Sequence, residues 1–469
     1  LKLFSTIFIS LLALLAWMFD WQTARAEDLS QIRARTSPAW LRDGVIYEIF
    51  PRSFSPAGNL DGVTAGLDQL KDLGVTILWI MPIHPIGEKL RKGELGSPYS
   101  IKDYYAVDPH YGNLEDFKRL VREAHRRHLK VIMDLVANHT AWDNSMTEHP
   151  EFYKRDKQGK IISPNPDWND VAGLNYDNPQ LRQYMLSMMT YWVQTCDVDG
   201  FRCDAAEMVP TDFWNAARAQ LDKVKPDIIL LAEASKPELL VNAFDVDYSW
   251  PLMHALYDVM SKGEPPSKLR ASWEQSQRQN PRGSLHMRIS DDHDEARVVA
   301  RFGAQGALAA SALMFTLDGV PMLYNGMEVG DTAETSGGAL FEKRPIDWLR
   351  TDGAPTRQIY RSLIEFRKQH IAFRNERVVW LHNSNEKSVV SLKRSDATSE
   401  FVVVINFSKN PNSAEVEIAN GQEFNPVEIS GLAPVSNHDF PLVHLAGYEC
   451  RIYQRVLASE ARGSGSVAP

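Results

Sequence analysis

Four apolar runs of this 469-residue chain end in acids and histidines: DLVANH at 134 to 139, GFRCD at 200 to 204, AEAS at 232 to 235 and DDHD at 291 to 294. In GFRCD the side chains of Arg202 and Asp204 share a face, because alternate residues of a β-strand point the same way. A guanidinium a few ångströms from a carboxylate favours its ionised form, which suits an acid that attacks an electrophilic carbon. An ion pair at the start of a surface loop would leave the same trace. An acid at any one strand end is also a common N-cap of the helix that follows. Four such endings point instead to acids gathered from distant stretches onto one rim.

The elements that must gather them are legible from about Val45 onward. Short β-rich runs lie at 45–50, 75–81, 131–136, 198–204, 228–233, 285–290 and 320–325, with a weak one around Phe244 to Tyr248. Between them are helix-period segments at Leu60 to Leu73, Leu114 to His128, Pro179 to Thr195 and Thr211 to Val224. Eight strands, each followed by helix, predict an α/β fold of the (β/α)8 TIM-barrel type over about 41–370. The acids would then meet at the C-terminal ends of the strands, where barrel active sites lie. The connection after the third strand is long and rich in Asn, Asp, Pro and Trp, which predicts a short inserted subdomain at about 140–178 overhanging that face. After a helix near Thr356 to His370 the pattern changes to alternating strands (VVSLKR, EFVVVINF, AEVEIA, ECRIYQR), which predict a C-terminal antiparallel β-sandwich over 371–457. Residues 458–469 read as a disordered tail.

The bulk numbers exclude several classes. With 51 Lys and Arg against 60 Asp and Glu the net charge is −9, and no long basic run exists, so nucleic acid is not an expected partner. The opening segment carries Lys2, an apolar stretch from Leu3 to Phe19, and the sequence Ala24, Arg25, Ala26. That is the pattern of a signal peptide over 1–26 cleaved after about Ala26, predicting an exported, periplasmic or extracellular protein with no membrane contact in its mature form. The alternative is an uncleaved anchor; no later segment is expected to reach spanning length. Three cysteines, Cys196, Cys203 and Cys450, without regular spacing argue against a disulfide framework or a zinc site.

With these motifs in order, the chain resembles the α-amylase superfamily of glycoside hydrolases from about Leu41 to the C-terminal β-domain. GSPYSIKDYY at 96 to 105 and GVPMLYNGME at 319 to 328 agree as well. The resemblance implies that Asp204 is the nucleophile, Glu233 the general acid and base, and Asp294 the third carboxylate. Retention at a glycosidic bond needs one carboxylate to attack the anomeric carbon and a second to protonate the leaving oxygen, roughly 5 Å apart. A third carboxylate can hold the sugar hydroxyls more tightly as positive charge develops in the transition state. Tyr99, His139, Arg202 and His293 are implied as substrate-binding residues, with Tyr99 against the apolar face of one sugar. Trp142, Trp168 and Tyr176 are candidate stacking platforms or core residues.

The resemblance also raises a structural calcium, since Asn138 holds the position at which many amylases bind one. Calcium needs six to eight oxygen ligands, for which Asp167, Asp170 and Asp177 are candidates. Against it, Ala206 and Glu207 stand where calcium-binding relatives usually carry Lys-His. Asp292 is a second departure, since asparagine most often precedes the His-Asp pair. The expected activity is a retaining hydrolase of α-glucosidic bonds, α-1,4 by preference, in starch-derived glucans or maltooligosaccharides, without an organic cofactor. Transglycosylation, isomerisation and a non-catalytic carbohydrate-binding or partner role remain the alternatives.

Overall fold

The structure is a computed structural model that describes residues 28–350, 356–430 and 440–457. Eight parallel strands close into a barrel: β1 (Ile46–Ile49), β2 (Ile77–Ile80), β3 (Lys130–Val136), β4 (Gly200–Asp204), β5 (Ile229–Ala232), β6 (Val246–Tyr248), β7 (Leu285–Arg288) and β8 (Val320–Tyr324). Each pairs with its neighbours in chain order, and β8 returns to β1. β6 has only three residues, and a single helical turn, Leu239–Asn242, separates it from β5. This brevity is why its periodic signal is weak.

The helices sit where the apolar period puts them: α1 (Leu60–Leu73), α2 (Leu114–Arg126), α3 (Pro179–Cys196), α4 (Thr211–Val224), α5 (Trp250–Lys262), α6 (Ser267–Gln279), α7 (Val298–Thr316) and α8 (Thr356–Gln369). In α1 the residues Val63, Leu67, Leu70 and Leu73 recur every three or four positions and are all buried. Asn59 caps its start by accepting from the Gly62 N–H, and Gly74, at φ 100°, ends it in the left-handed region that glycine enters without steric cost. Asn113 and Asp116 form a reciprocal capping box on α2. Contrary to the expectation of no later spanning-length segment, α7 is by length and composition apolar enough to cross a membrane, although its backbone breaks at Gly303 (φ 71°). Its apolar residues pack inside the protein, as those of a core helix do.

The insertion after β3 is mostly irregular. A two-stranded antiparallel ladder ties its ends together, pairing His139–Ala141 with Val171–Gly173. Since it leaves and re-enters at the C-terminal ends of β3 and β4, it forms one wall over the rim.

Beyond α8 the chain builds a sheet whose main strands are β9 (Val378–Leu381), β10 (Val389–Ser395), β11 (Ser399–Asn406) and β12 (Cys450–Val456). Period-2 alternation buries both faces. Val390, Leu392, Phe401, Val403 and Ile405 join the barrel's core, with Phe401 5.6 Å from the ring of Phe366 on α8. Val389, Val402, Val404 and Tyr453 form a second core with a two-stranded sheet, Asn412–Glu415 against Leu442–Leu445. The expected strand AEVEIA is thus shorter than its alternation suggests, and the strand at 442–445 was not anticipated. The expected signal peptide and the tail from 458 lie outside the described residues.

Candidate active site

Asp134 and Arg202 are opposed across β3 and β4, as are Val136 and Asp204. Arg202 and Asp204 therefore emerge on one face, one layer apart. Glu233 follows β5 directly, its backbone N–H bonded to Cys203 O at 3.0 Å. Ala205, between them, takes a left-handed conformation (φ 44°), costly for a residue with a Cβ, and donates its N–H to Glu233 Oε2 at 2.7 Å.

Arg202 is the hub. Its Nη1 donates to Asp134 at 3.0 Å and to Asp204 Oδ1 at 3.1 Å, while Nη2 lies 3.0 Å from Glu233 Oε2. One planar guanidinium thus spans the two expected catalytic carboxylates. The rings of Trp79, Tyr99 and Tyr248 surround the cation at 5.0, 5.6 and 5.7 Å. Arg202 is fully buried and does not line the cavity. Its expected place among the sugar-binding residues is therefore corrected: walled in by three rings and three carboxylates, it positions acids and cannot reach a sugar.

Arg202 does not leave Asp204 an ordinary ionised acid either. Burial first, and the Glu233 charge second, push Asp204 well above the usual carboxylate range, with Arg202 opposing. The Glu233 carboxylate beside it disfavours a second negative charge on Asp204.

Asp294 stands on the same rim, with almost half of its side chain exposed and Oδ2 3.3 Å from His293 Nε2. Burial would depress His293, but the charges of Asp294 and Glu48 overcome it and raise the ring to about 10. His293 is therefore an imidazolium, with Nδ1 donating to Glu48 Oε1 at 2.5 Å and Nε2 to the Tyr99 hydroxyl at 2.7 Å. Tyr99 in turn donates to Asp134 at 3.3 Å. A continuous buried chain, Glu48–His293–Tyr99–Asp134–Arg202, so connects Asp294 to the Asp204 and Glu233 pair. His139 differs: burial lowers it to about 4, so the ring is neutral, with Nε2 4.0 Å from Asp204 Oδ2.

These groups open into a cavity of about 320 Å³ lined by Tyr99, His139, Asp204, Glu233, His293 and Asp294. Trp168 joins the lining and tilts against His139 at 5.6 Å, consistent with a stacking role. Tyr176 is buried, with its hydroxyl on Ala137 O, and Trp142 packs against the core with its indole N–H on Asn169 O. Neither lines the cavity. Leu340 and Phe341 after β8 and Lys92 after β2 complete the wall; none of these three is marked by a strand-end motif. Glu48 was missed too, although an acid inside the otherwise apolar VIYEIF is a signal that could have been read.

Of the candidate calcium ligands near Asn138, Asp170 is engaged elsewhere. Among the described residues the Asn138 amide nitrogen approaches His139 Nδ1 at 3.4 Å and Met208 Sδ at 3.7 Å. Asp170 is taken by the Lys92 ammonium at 2.9 Å, which also donates to Asp167 O, while Asp177 is exposed. Among the described residues no three His, Cys, Asp or Glu side chains converge as metal ligands. Asp292, the other departure, is buried; its Oδ1 accepts the N–H groups of Asp294 and Glu295 at 3.1 and 3.0 Å. Burial, then the Asp294 charge, push it well above the carboxylate range. A protonated aspartic acid here has one accepting and one donating atom, as an asparagine would.

Comparison with known proteins agrees with this geometry. The family described as the α-amylase catalytic domain matches residues 48–169 and 165–389. An α-amylase of Haloarcula japonica is 31% identical over 311 residues, 64% of this chain and 46% of that protein, so the chain spans just under half of that relative. A cyclomaltodextrinase of Geobacillus thermopakistaniensis is 25% identical over 79% of this chain and 70% of its own length. Among solved structures, a noncanonic maltogenic α-amylase of Thermotoga neapolitana superimposes with a TM-score of 0.79 at 31% identity, covering 89% of this chain and all of that one.

Proposed function

Because this chain belongs to the α-amylase family, we propose that it cleaves α-glucosidic bonds of starch-derived glucans or maltooligosaccharides with retention, through a covalent bond to Asp204. The observation that carries this reading is the single guanidinium that spans Asp204 and Glu233 under a cavity that also admits Asp294. With Glu233 protonated, its proton passes to the glycosidic oxygen as Asp204 attacks the anomeric carbon; the bond to the departing sugar breaks with its electron pair on that oxygen. Arg202, 3.1 Å from Asp204, stabilises the attacking carboxylate's charge. Asp294, held by His293, faces the hydroxyls of the same ring, where it favours developing positive charge. Glu233 then removes a proton from water, which displaces the sugar from Asp204.

A cavity of about 320 Å³ lies at the small end of ligand sites, which supports tight enclosure of about one ring, with Trp168 and Phe341 at the edges for its neighbours. Following the anomeric protons of products from maltotriose to maltoheptaose and cyclodextrins tests the reading. The α-anomer should appear first, and Asp204→Asn should abolish turnover; initial β-anomer would overturn it. The same time course separates hydrolysis from transfer, because transfer yields products longer than the substrate. Export rests on the leader-like sequence alone: a mature protein starting at Glu27 supports it, and one retaining Lys2 contradicts it.

A further inference from the structure

At the opposite, N-terminal end of the barrel lies a second cavity, of about 290 Å³, whose polar lining is almost entirely cationic or hydrogen-donating. It opens where β1, β2 and β3 begin, beside α8 and the turn that leads into the C-terminal domain. Three buried donor atoms on its lining residues, Trp40 Nε1, Arg367 Nε and Arg374 Nε, have no acceptor among the described residues. Such atoms are rare, because a buried donor without a partner is costly. The exposed Lys368 adds a further cationic residue to the lining.

The charges are equally one-sided. Arg367 is 2% exposed, and its two Nη atoms are fixed on the carbonyl oxygens of Phe315, Leu317 and Gly319 at 3.0, 2.9 and 2.6 Å. Burial, then the nearby Arg394 charge, bring it down to about 9, with Asp318 opposing and Arg374 adding to the fall. Among the described residues the only acid in the lining, Asp43, is engaged by Arg374 Nη1 at 2.9 Å. Lys130, also in the lining, is held by Asp199 at 2.9 Å and lies over the Trp40 ring. Water could accept from the idle donors, but it would leave the cationic excess uncompensated. An oxyanion supplies both acceptors and charge, and guanidinium groups are well matched to it.

We propose that this cavity is an anion site, built by Trp40, Arg367, Lys368 and Arg374, for a phosphate-sized oxyanion. Free phosphate and the phosphoryl group of a sugar phosphate share that chemistry.

The test uses the full-length protein, with thermal unfolding followed against added inorganic phosphate, glucose 6-phosphate or chloride at matched ionic strength. Phosphate, glucose 6-phosphate or both should raise the Tm saturably, and chloride should not. Lys368→Gln, at an exposed position, and Trp40→Phe, which removes the indole N–H while keeping an aromatic ring, should each raise the half-saturating concentration by about tenfold or more. A response to glucose 6-phosphate alone assigns the source as the sugar phosphate. Equal stabilisation by chloride, no response to either phosphate, or equal responses in wild type and both variants would overturn the site. Starch hydrolysis by the two variants should match the wild type, since the cavity faces away from Asp204.

Discussion

Glu48→Gln tests whether the buried chain beneath the rim tunes the chemistry above it. Glu48 is fully buried and hydrogen-bonded to His293 Nδ1 at 2.5 Å, and with Asp294 it lifts the imidazole from its ordinary 6.5 to about 10. At 1.36 kcal/mol per pH unit, that lift corresponds to about 5 kcal/mol in favour of the cation. Asp294 is almost half exposed, so water screens its share, whereas Glu48 acts both by charge and by hydrogen bond in a dry site. Because burial weighs against the cation throughout, neutralising Glu48 removes at least half of that net lift, roughly 2.5 kcal/mol, and moves the His293 titration range down by about two pH units.

The sign follows directly. Below that range the variant keeps its imidazolium and stays close to wild type; above it Nε2 no longer carries a charge to hold Asp294 and Tyr99. The assay is kcat and kcat/KM for maltoheptaose from pH 5 to 9.5, with the His293 ring protons followed by NMR. The variant should lose activity on the alkaline side one to two pH units earlier than wild type, with kcat falling more than KM rises. Superimposable alkaline limbs, or a His293 that titrates near 6.5 in the wild type, would refute the reasoning.

Asp292→Asn should keep the turn at 292 to 295 and become more stable relative to wild type as pH rises. A raised folded pKa contributes stability that is complete below the unfolded value near 3.9 and is lost as pH climbs through the folded one. The Tm difference between variant and wild type should therefore widen from pH 4 to pH 8, and a constant difference would contradict it. Arg202→Met leaves Asp134, Asp204 and Glu233 without their shared cation; stability should fall by about 3–5 kcal/mol, as when one partner of a buried pair is removed, seen as a lower urea midpoint. Since Lys92 occupies Asp170, chelation by EDTA should leave the Tm unchanged, and calcium should not restore the stability of Lys92→Ala.

Much of this was legible in the chain. Seven of the eight strands and the first helices announce themselves by period, because an element packed on one side must repeat its apolar residues at 3.6 or 2. Asp204, Glu233 and Asp294 could be named because each ends its strand within a motif of fixed order. The roles of their supporters could not, because those depend on depth. Arg202 and Asp204 look equivalent as alternate residues of one strand, yet one is sealed between three aromatic rings and the other opens into the cavity. Glu48 and Trp79, on β1 and β2, reach the site only through barrel closure, which no local spacing encodes. Trp142, Trp168 and Tyr176 are alike in sequence, and only the path of the inserted loop selects Trp168. The distances among Asn138, Asp167, Asp170 and Asp177 are likewise set by that loop, and it brings Asp170 to Lys92 of the connection after β2.

The central claim is that Asp204 bonds to the sugar, and trapping that bond tests it most directly. A 5-fluoro-α-glucosyl fluoride should inactivate the enzyme in a time-dependent way, and peptide mass analysis should place one fluoroglucosyl group on the segment containing Asp204. Label on Glu233 or Asp294 with Asp204 unmodified, or sustained retaining turnover by Asp204→Asn, would contradict the account.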